Sequence, residues 1–120
     1  DQIMSIIKNK PANFLVLSGD DALTLPMIYM GAEGVISVIG QSHPKDFTDM
    51  VSNAISGNNN LANQLHYKLY DLYKPIYAEG NPVGIKACLE LLKICTSDVR
   101  LPLIEASANV KNELKNLLNV

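Results

Sequence analysis

Two adjacent carboxylates, Asp20 and Asp21, follow a short apolar run and a Ser-Gly pair in the segment FLVLSGDD. Neighbouring carboxylates supply the oxygen ligands that Mg²⁺ prefers. The same position suits helix capping, because a carboxylate accepts hydrogen bonds from the free amides at a helix start. A third interpretation is the edge of an active site, with the backbone of Ser18 and Gly19 lining a pocket at the end of a strand. The residues alone leave the three open.

Other polar residues give weaker signals. His43 stands beside a proline in a predicted loop, and His66 falls in a predicted helix. Neither has a Ser, Cys or Asp partner at a recognisable spacing, so the sequence does not support a catalytic triad. The tyrosines between positions 67 and 77 follow helical spacing only in part, and packing is the favoured interpretation for them.

The two cysteines, Cys88 and Cys95, are seven residues apart in a predicted helical stretch. At the helical rise per residue their Cα atoms would be about 10 Å apart. A disulfide needs a shorter distance, and no His or third Cys joins them as a metal ligand. We predict buried, reduced thiols and no metal site, which is typical of a cytoplasmic protein.

Composition limits the class of protein. The 120 residues carry a net charge of −2, with 48% hydrophobic and 18% charged residues, as in one globular domain or part of one. No basic cluster indicates a nucleic-acid partner, and no apolar run approaches the roughly 20 residues of a membrane span. The chain lacks an initiator Met and opens in a helical pattern, which suggests an internal or C-terminal fragment.

These candidate residues are carried by a predicted βαβ unit. Residues 14–17 are a continuous apolar run, as expected of a strand that is covered on both faces, and 34–39, GVISVI, predict a second strand of the same kind. A helix over about 22–30 connects them and ends at Gly31, a typical position after a helix. Two strands are too few for such a sheet, so further strands must lie beside them, from other copies of the chain or from a missing first part.

Helices are predicted on both sides of this unit. Residues 1–9 show an apolar stripe that should face the core. Pro44 suits the first turn of another helix, whose apolar residues then recur at helical spacing up to Ile55. The polar run SGNNN at 56–60 indicates a domain boundary, which divides the chain into 1–57 and 58–120.

Three helices are predicted after this boundary. The second of them should start with Asn81 as N-cap and Pro82 as first residue. Ser107 is the predicted cap of the third. The second helix should bury a face made of Cys88, Leu91, Leu92 and Cys95.

Two longer motifs resemble the dihydrodipicolinate synthase family. SGDDALTLPMIYMGAEGVISVIG at 18–40 looks like its seventh and eighth strands. NPVGIKACLELLKICTSDVRLPLIEAS at 81–107 looks like its C-terminal helical region. The motifs have the family's order and spacing, so the resemblance covers nearly the whole chain. The SGDD form also differs from what N-acetylneuraminate lyases and ketodeoxygluconate aldolases, which share the fold, usually carry.

This resemblance implies an α/β fold, with residues 1–57 forming the last two strands of a (β/α)8 TIM barrel and 58–120 a three-helix C-terminal domain. It implies a lyase of the pyruvate aldolase type that condenses pyruvate with aspartate semialdehyde in lysine (diaminopimelate) biosynthesis. The family uses no cofactor beyond a covalent Schiff base between pyruvate and a strand-six lysine. A cytoplasmic homotetramer, a dimer of dimers, is expected.

The resemblance places no catalytic residue in this chain. The Schiff-base lysine, the tyrosine that relays protons and the arginine that holds the semialdehyde carboxylate would all precede Asp1. The expected substrate-binding residues are Gly19, whose carbonyl lies beside pyruvate, Asp20 and Asp21 at the rim, and Ile36, which presses on pyruvate. The chain alone should be inactive without the N-terminal half of the barrel. It departs from the family after Ile36, with SVIGQ at 37–41 in place of the usual SVTAN.

Two alternatives remain open at this stage. The first is a related pyruvate aldolase that acts on a sugar acid, against which the Asp20-Asp21 pair is the only local argument. The second is a non-catalytic, self-associating structural module, because exposed strand edges and apolar helical stripes drive association.

Overall fold

The computed structural model of the protein describes residues 1–120, and its architecture is a small parallel sheet packed among helices. No helix in it combines the length and the apolar character that crossing a membrane requires. In chain order the elements are α1 (Gln2–Asn9), β1 (Leu17–Ser18), α2 (Thr24–Tyr29), β2 (Gly34–Val35), a 3-10 turn (Ile39–Gln41), α3 (Pro44–Ile55), α4 (Asn59–Tyr77), α5 (Val83–Leu91) and α6 (Ala108–Leu118).

The predicted βαβ unit is present. β1 and β2 pair in parallel, with Leu17 opposite Gly34 and Ser18 opposite Val35, and α2 connects them. The strands are shorter than the apolar runs at 14–17 and 34–39 suggested. The second run leaves the extended conformation at Val38, whose backbone is already helical, and continues into the 3-10 turn.

This chain covers only one face of the two strands, although the sequence predicted that both faces are covered. Successive side chains of a strand point to opposite faces. Val16 and Ser18 are buried, whereas Leu15 and Leu17 are 66% and 45% exposed, and Ile36 is 76% exposed. The register puts Leu15, Leu17 and Ile36 on one side, here called the open face because these side chains are exposed there, while Val16 and Ser18 point to the buried side.

The predicted stripe of α1 is partly correct. Ile3 and Ile7, which are four residues apart and share one helix face, pack on a small cluster beneath β1 and α2. Met4 and Ile6 point away from this cluster and are exposed.

One hydrophobic core joins the helices. It contains 19 buried residues and runs from Leu25 in α2 to Leu114 in α6, through Phe47, Leu69 and Ile85. This core is continuous across position 57. Three helices follow that position, as expected, while the division into domains at 57/58 stays a prediction.

The boundaries of α5 differ from those predicted. The helix begins at Val83, so Pro82 takes the N-cap position instead of the first helical position, and Asn81 lies outside. It ends at Leu91, where the amides of Lys93 and Ile94 bond back to the carbonyls of Glu90 and Leu89. This is a Schellman motif with a left-handed Lys93 where glycine is usual, so no sequence signal marked the end.

The early end of α5 corrects the prediction for the cysteines. Cys88 is buried inside the helix, but Cys95 lies beyond it and is exposed. Leu91 and Leu92 are half-buried. The cap of α6 is as predicted, since the Ser107 Oγ accepts a hydrogen bond of 3.4 Å from the Val110 amide.

Candidate functional site

The carboxyl ends of β1 and β2 lie side by side. The Ile36 amide donates a hydrogen bond of 2.9 Å to the Ser18 carbonyl, which brings Gly19 and Ile36 to the same edge of the sheet. No heavy atom outside its chain neighbours lies within 4 Å of the point where Gly19 would carry a Cβ. Two of the predicted substrate-binding residues thus border open space on the open face.

Asp20 is exposed and organises the turn before α2. Its Oδ1 accepts a hydrogen bond of 3.1 Å from the Leu23 amide within this turn. The prediction that Asp20 or Asp21 caps the next helix is wrong, because the N-cap of α2 is Leu23 and no side chain caps it. Its backbone carbonyl accepts hydrogen bonds from the hydroxyls of Ser18 and Thr24, both 2.8 Å long. The second carboxylate oxygen has no partner within the chain and stays free for a ligand.

Asp21 is only 1% exposed, although it is the direct neighbour of Asp20. Its Oδ2 accepts hydrogen bonds from the amides of Ile39 and Val38, at 2.7 and 3.1 Å, and Oδ1 lies 3.3 Å from the Val38 amide. These are free amides at the start of the 3-10 turn, where a carboxylate is favourable. Asp21 therefore caps a helical turn, but this turn follows β2 and is not the helix next in sequence.

A tyrosine that the sequence assigned only to packing completes the surroundings of Asp21. The Tyr77 hydroxyl, at the end of α4, donates a hydrogen bond of 2.7 Å to Asp21 Oδ2. Burial raises the pKa of Tyr77 well above its ordinary value, and the hydrogen bond to Asp21 and the charges of Asp21 and Asp20 raise it further. The hydroxyl thus stays protonated and remains a donor at all ordinary pH values.

A second tyrosine, Tyr73, lies one helical turn earlier on the same face of α4. Burial, and then the charges of Asp21 and Asp20, raise its pKa in the same direction. Its hydroxyl is buried without a hydrogen-bond partner. The only sequence signal for this pair was the four-residue spacing of Tyr73 and Tyr77. Ordinary core tyrosines show the same spacing.

A groove opens beside the strand ends. A cavity of about 310 Å³ is lined by Gly19, Asp20, Ala22, Tyr73, Lys74 and Tyr77. A second cavity, of about 430 Å³, shares Ala22, Tyr73 and Lys74 with it and extends along α4 to Glu113 and Leu117 of α6. The Lys74 ammonium forms no ion pair. The groove is large enough for a small organic acid.

The histidines lie apart from this groove. His43 Nδ1 is 2.9 Å from the Ser42 hydroxyl, and burial lowers the pKa of His43. Burial also lowers the pKa of His66, whose Nδ1 has no partner. No group of three or more His, Cys, Asp or Glu side chains is arranged to hold a metal ion, and the Asp21 oxygens that a magnesium ion would need already accept hydrogen bonds.

Comparison with known proteins connects this geometry to one family. The model of the dihydrodipicolinate synthetase family matches residues 1–120. The 4-hydroxy-tetrahydrodipicolinate synthase of Cytophaga hutchinsonii is 44% identical over 114 residues, which are 95% of this chain and 38% of that protein.

Solved structures agree with the sequence comparison. The dihydrodipicolinate synthase of Aquifex aeolicus superposes with a TM-score of 0.94 at 40% identity, covering 99% of this chain and 41% of that one. A dihydrodipicolinate synthase described as a monomeric variant superposes with a TM-score of 0.91 at 35% identity, covering 98% and 40%. The chain spans about 40% of the length of the relatives that it matches. It belongs to the dihydrodipicolinate synthetase family.

Proposed function

We propose that this chain forms the C-terminal portion of a dihydrodipicolinate synthase, a lyase that condenses pyruvate with aspartate semialdehyde in lysine biosynthesis. In this proposal β1 and β2 are the last two strands of a (β/α)8 barrel, and the remaining strands cover the open face. The observation that carries the proposal is the adjacency of Gly19 and Ile36 at the carboxyl ends of parallel strands, in a member of this family. Active sites of such barrels lie at that end.

Gly19 and Ile36 would form one wall of the pyruvate pocket. The Cβ position of Gly19 faces open space, and the exposed Ile36 side chain offers an apolar surface for the methyl group of pyruvate. Asp20, with one free carboxylate oxygen, would stand at the rim. This assignment leaves Asp21 behind the wall, because its oxygens are already occupied.

The reacting amine would come from outside the chain. A Schiff base forms when a neutral lysine amine attacks the pyruvate carbonyl and water is lost, which requires an amine at the carbonyl carbon. Lys74 is the only lysine that lines the groove beside Gly19, and it is exposed on α4. We therefore propose that the chain holds no catalytic residue, needs no cofactor, and is inactive until the N-terminal half of the barrel completes it.

Assembly belongs to the same proposal. The family resemblance suggests a homotetramer in the cytoplasm, with the site built by the complete subunit and a neighbouring one.

A second candidate function has an observation in its favour: Phe14, Leu15 and Leu17 expose 57%, 66% and 45% of their surfaces, and such a patch drives association. On this reading the isolated chain is a self-associating structural module.

Reduction by borohydride in the presence of pyruvate tests the main proposal. The adduct is located by intact mass and peptide mapping in two samples, the 13.1 kDa chain alone and the same chain completed by the N-terminal half of the barrel. We expect an adduct only in the completed protein, on a lysine outside residues 1–120. An adduct on the chain alone, with Lys74→Arg removing it, would contradict the proposal.

Two further measurements separate the alternatives. The completed protein should consume aspartate semialdehyde in preference to a sugar-derived aldehyde, and the reverse preference would indicate a sugar-acid aldolase. Sedimentation of the chain alone tests the structural module, because a monodisperse monomer with a cooperative thermal transition would count against self-association.

A further inference from the structure

The Asp21 carboxylate joins three separate parts of the chain. It follows β1, it accepts the amides of Val38 and Ile39 after β2, and it accepts the hydroxyl of Tyr77 at the end of α4. These partners lie 17, 18 and 56 residues away in the sequence. A buried carboxylate with this set of donors is fully satisfied and holds them in one arrangement.

The segments that follow β1 and β2 are here called the strand exits. Beyond the end of the parallel ladder, Asp21 accepts every hydrogen bond between them. The ladder stops at the bond from Ile36 to Ser18. Gly19 lies two residues before Asp21, and Ile36 lies two residues before Val38. The ladder bond brings Gly19 and Ile36 together, and beyond it the spacing of the two strand exits depends on one carboxylate, which the Tyr77 hydroxyl helps to orient.

We propose that Asp21 and Tyr77 form a positioning pair that, together with the ladder bond, sets the spacing of Gly19 and Ile36, and that Tyr77 acts through Asp21. This inference rests on the proposed function, in which these two residues bound the pyruvate pocket. Asp21 does not touch the substrate, because it is buried and both of its oxygens are engaged by the protein, and the Tyr77 hydroxyl is engaged by Asp21. The helical region after position 58 thus hydrogen-bonds to the strand exits through the Tyr77 hydroxyl.

Disturbing the pair changes the wall that faces pyruvate, whereas the groups assigned to aspartate semialdehyde lie outside this chain. Pyruvate binding should weaken while the KM for aspartate semialdehyde stays the same. A general loss of stability would not produce this split, since it lowers the amount of active enzyme and affects both substrates alike.

The chain offers a matched control in Tyr29. Its hydroxyl also connects the βαβ unit to α4, at 3.4 Å from the Asn59 carbonyl and 3.3 Å from Asn63 Oδ1. Tyr29→Phe therefore removes the same hydroxyl group and a bond between the same two parts of the fold. It leaves the strand exits untouched.

The experiment compares Asp21→Asn, Tyr77→Phe and Tyr29→Phe in the completed enzyme. We expect the KM for pyruvate to rise about tenfold in Asp21→Asn and about threefold in Tyr77→Phe, because small misplacements at a pocket wall are costly. Borohydride trapping should need correspondingly more pyruvate, and Tyr29→Phe should match the wild type.

The inference would be overturned if Tyr77→Phe had the same KM for pyruvate as Tyr29→Phe. It would also be overturned if the KM values for pyruvate and aspartate semialdehyde changed equally. Tyr77→Phe decides the matter if Asp21→Asn does not fold. A wild-type enzyme that forms no pyruvate adduct would instead overturn the proposed function, and this outcome is visible before any variant is compared.

Discussion

Gly84 at the start of α5 lies directly against the backbone carbonyl of Ile76 near the end of α4. A Cβ atom on Gly84 would overlap the Ile76 carbonyl oxygen and would lie 2.6 Å from its carbonyl carbon. The obstacle is backbone within the main core, so it cannot turn aside as a side chain would. The close approach of α4 and α5 therefore depends on the absence of a side chain at this position.

Gly84→Ala should destabilise the protein despite the better helix propensity of alanine. We expect the free energy of unfolding to fall by about 1–3 kcal/mol, the range for overpacking in a core, as measured by urea denaturation. Gly19→Ala is the control, because nothing lies within 4 Å of its Cβ position. Equal stability of the two variants would mean that the two helices separate without cost.

The two cysteines should react at different rates. Cys95 is exposed beyond the end of α5, whereas Cys88 is buried and its pKa is raised by that burial. Because the thiolate is the reactive form, iodoacetamide should label Cys95 in the folded chain and Cys88 only after unfolding. Peptide mass spectrometry checks this order, and early labelling at Cys88 would contradict the described burial.

An ion cluster around Lys111 should make the stability of the protein fall at low pH. The Lys111 ammonium lies 2.9 Å from Glu105 and 3.3 Å from Glu90. Hydrogen bonds from Ser97, and then from Lys111, hold the pKa of Glu90 below its ordinary value. A lowered pKa in the folded state stabilises the protein above the unfolded pKa, and this contribution is lost as pH falls through the folded value.

Lys111→Met should therefore reduce the loss of stability between about pH 6 and about pH 3. The urea midpoints of the variant and the wild type at both pH values measure this loss. Lys115→Met, on the same helix and without an ion pair, should keep the wild-type dependence. Identical pH profiles for the wild type and Lys111→Met would show that the cluster has no energetic coupling.

The cap of α6 should contribute measurably to stability. The Ser107 hydroxyl accepts the Val110 amide, and removing such a cap costs about 1 kcal/mol. Ser107→Ala should lower the free energy of unfolding by this amount. Ser107→Gly should cost only a few tenths of it, because glycine tolerates the cap conformation. An unchanged stability of Ser107→Ala would argue against any contribution from the hydrogen bond.

The order of elements was predictable because it depends on near neighbours. Apolar runs marked the strands, helical periodicity marked α3, and Ser107 marked the start of α6. The end of α5 was missed since a lysine occupies the left-handed position where glycine would be the signal. The placement of Cys95 followed from that error.

The candidate site was predicted unevenly for a similar reason. The position of Gly19 at a strand end follows from local sequence, and its proximity to Ile36 follows from the pairing rule for a βαβ unit. The different surroundings of Asp20 and Asp21 have no local signal. Both carboxylates occupy the same strand exit, and only the direction of each side chain separates Asp20, exposed in a turn, from Asp21, the buried cap of the 3-10 turn.

The sequence by itself determined the types of the elements and the position of the SGDD segment at the end of a strand. It also carried the family resemblance, which the family comparison confirmed. The tertiary structure decided that Asp21 is buried, that Tyr77 is its partner, and that one face of the sheet stays open. These features depend on contacts between residues up to 56 positions apart. Such contacts form only when whole helices pack, so no local pattern of residues encodes them.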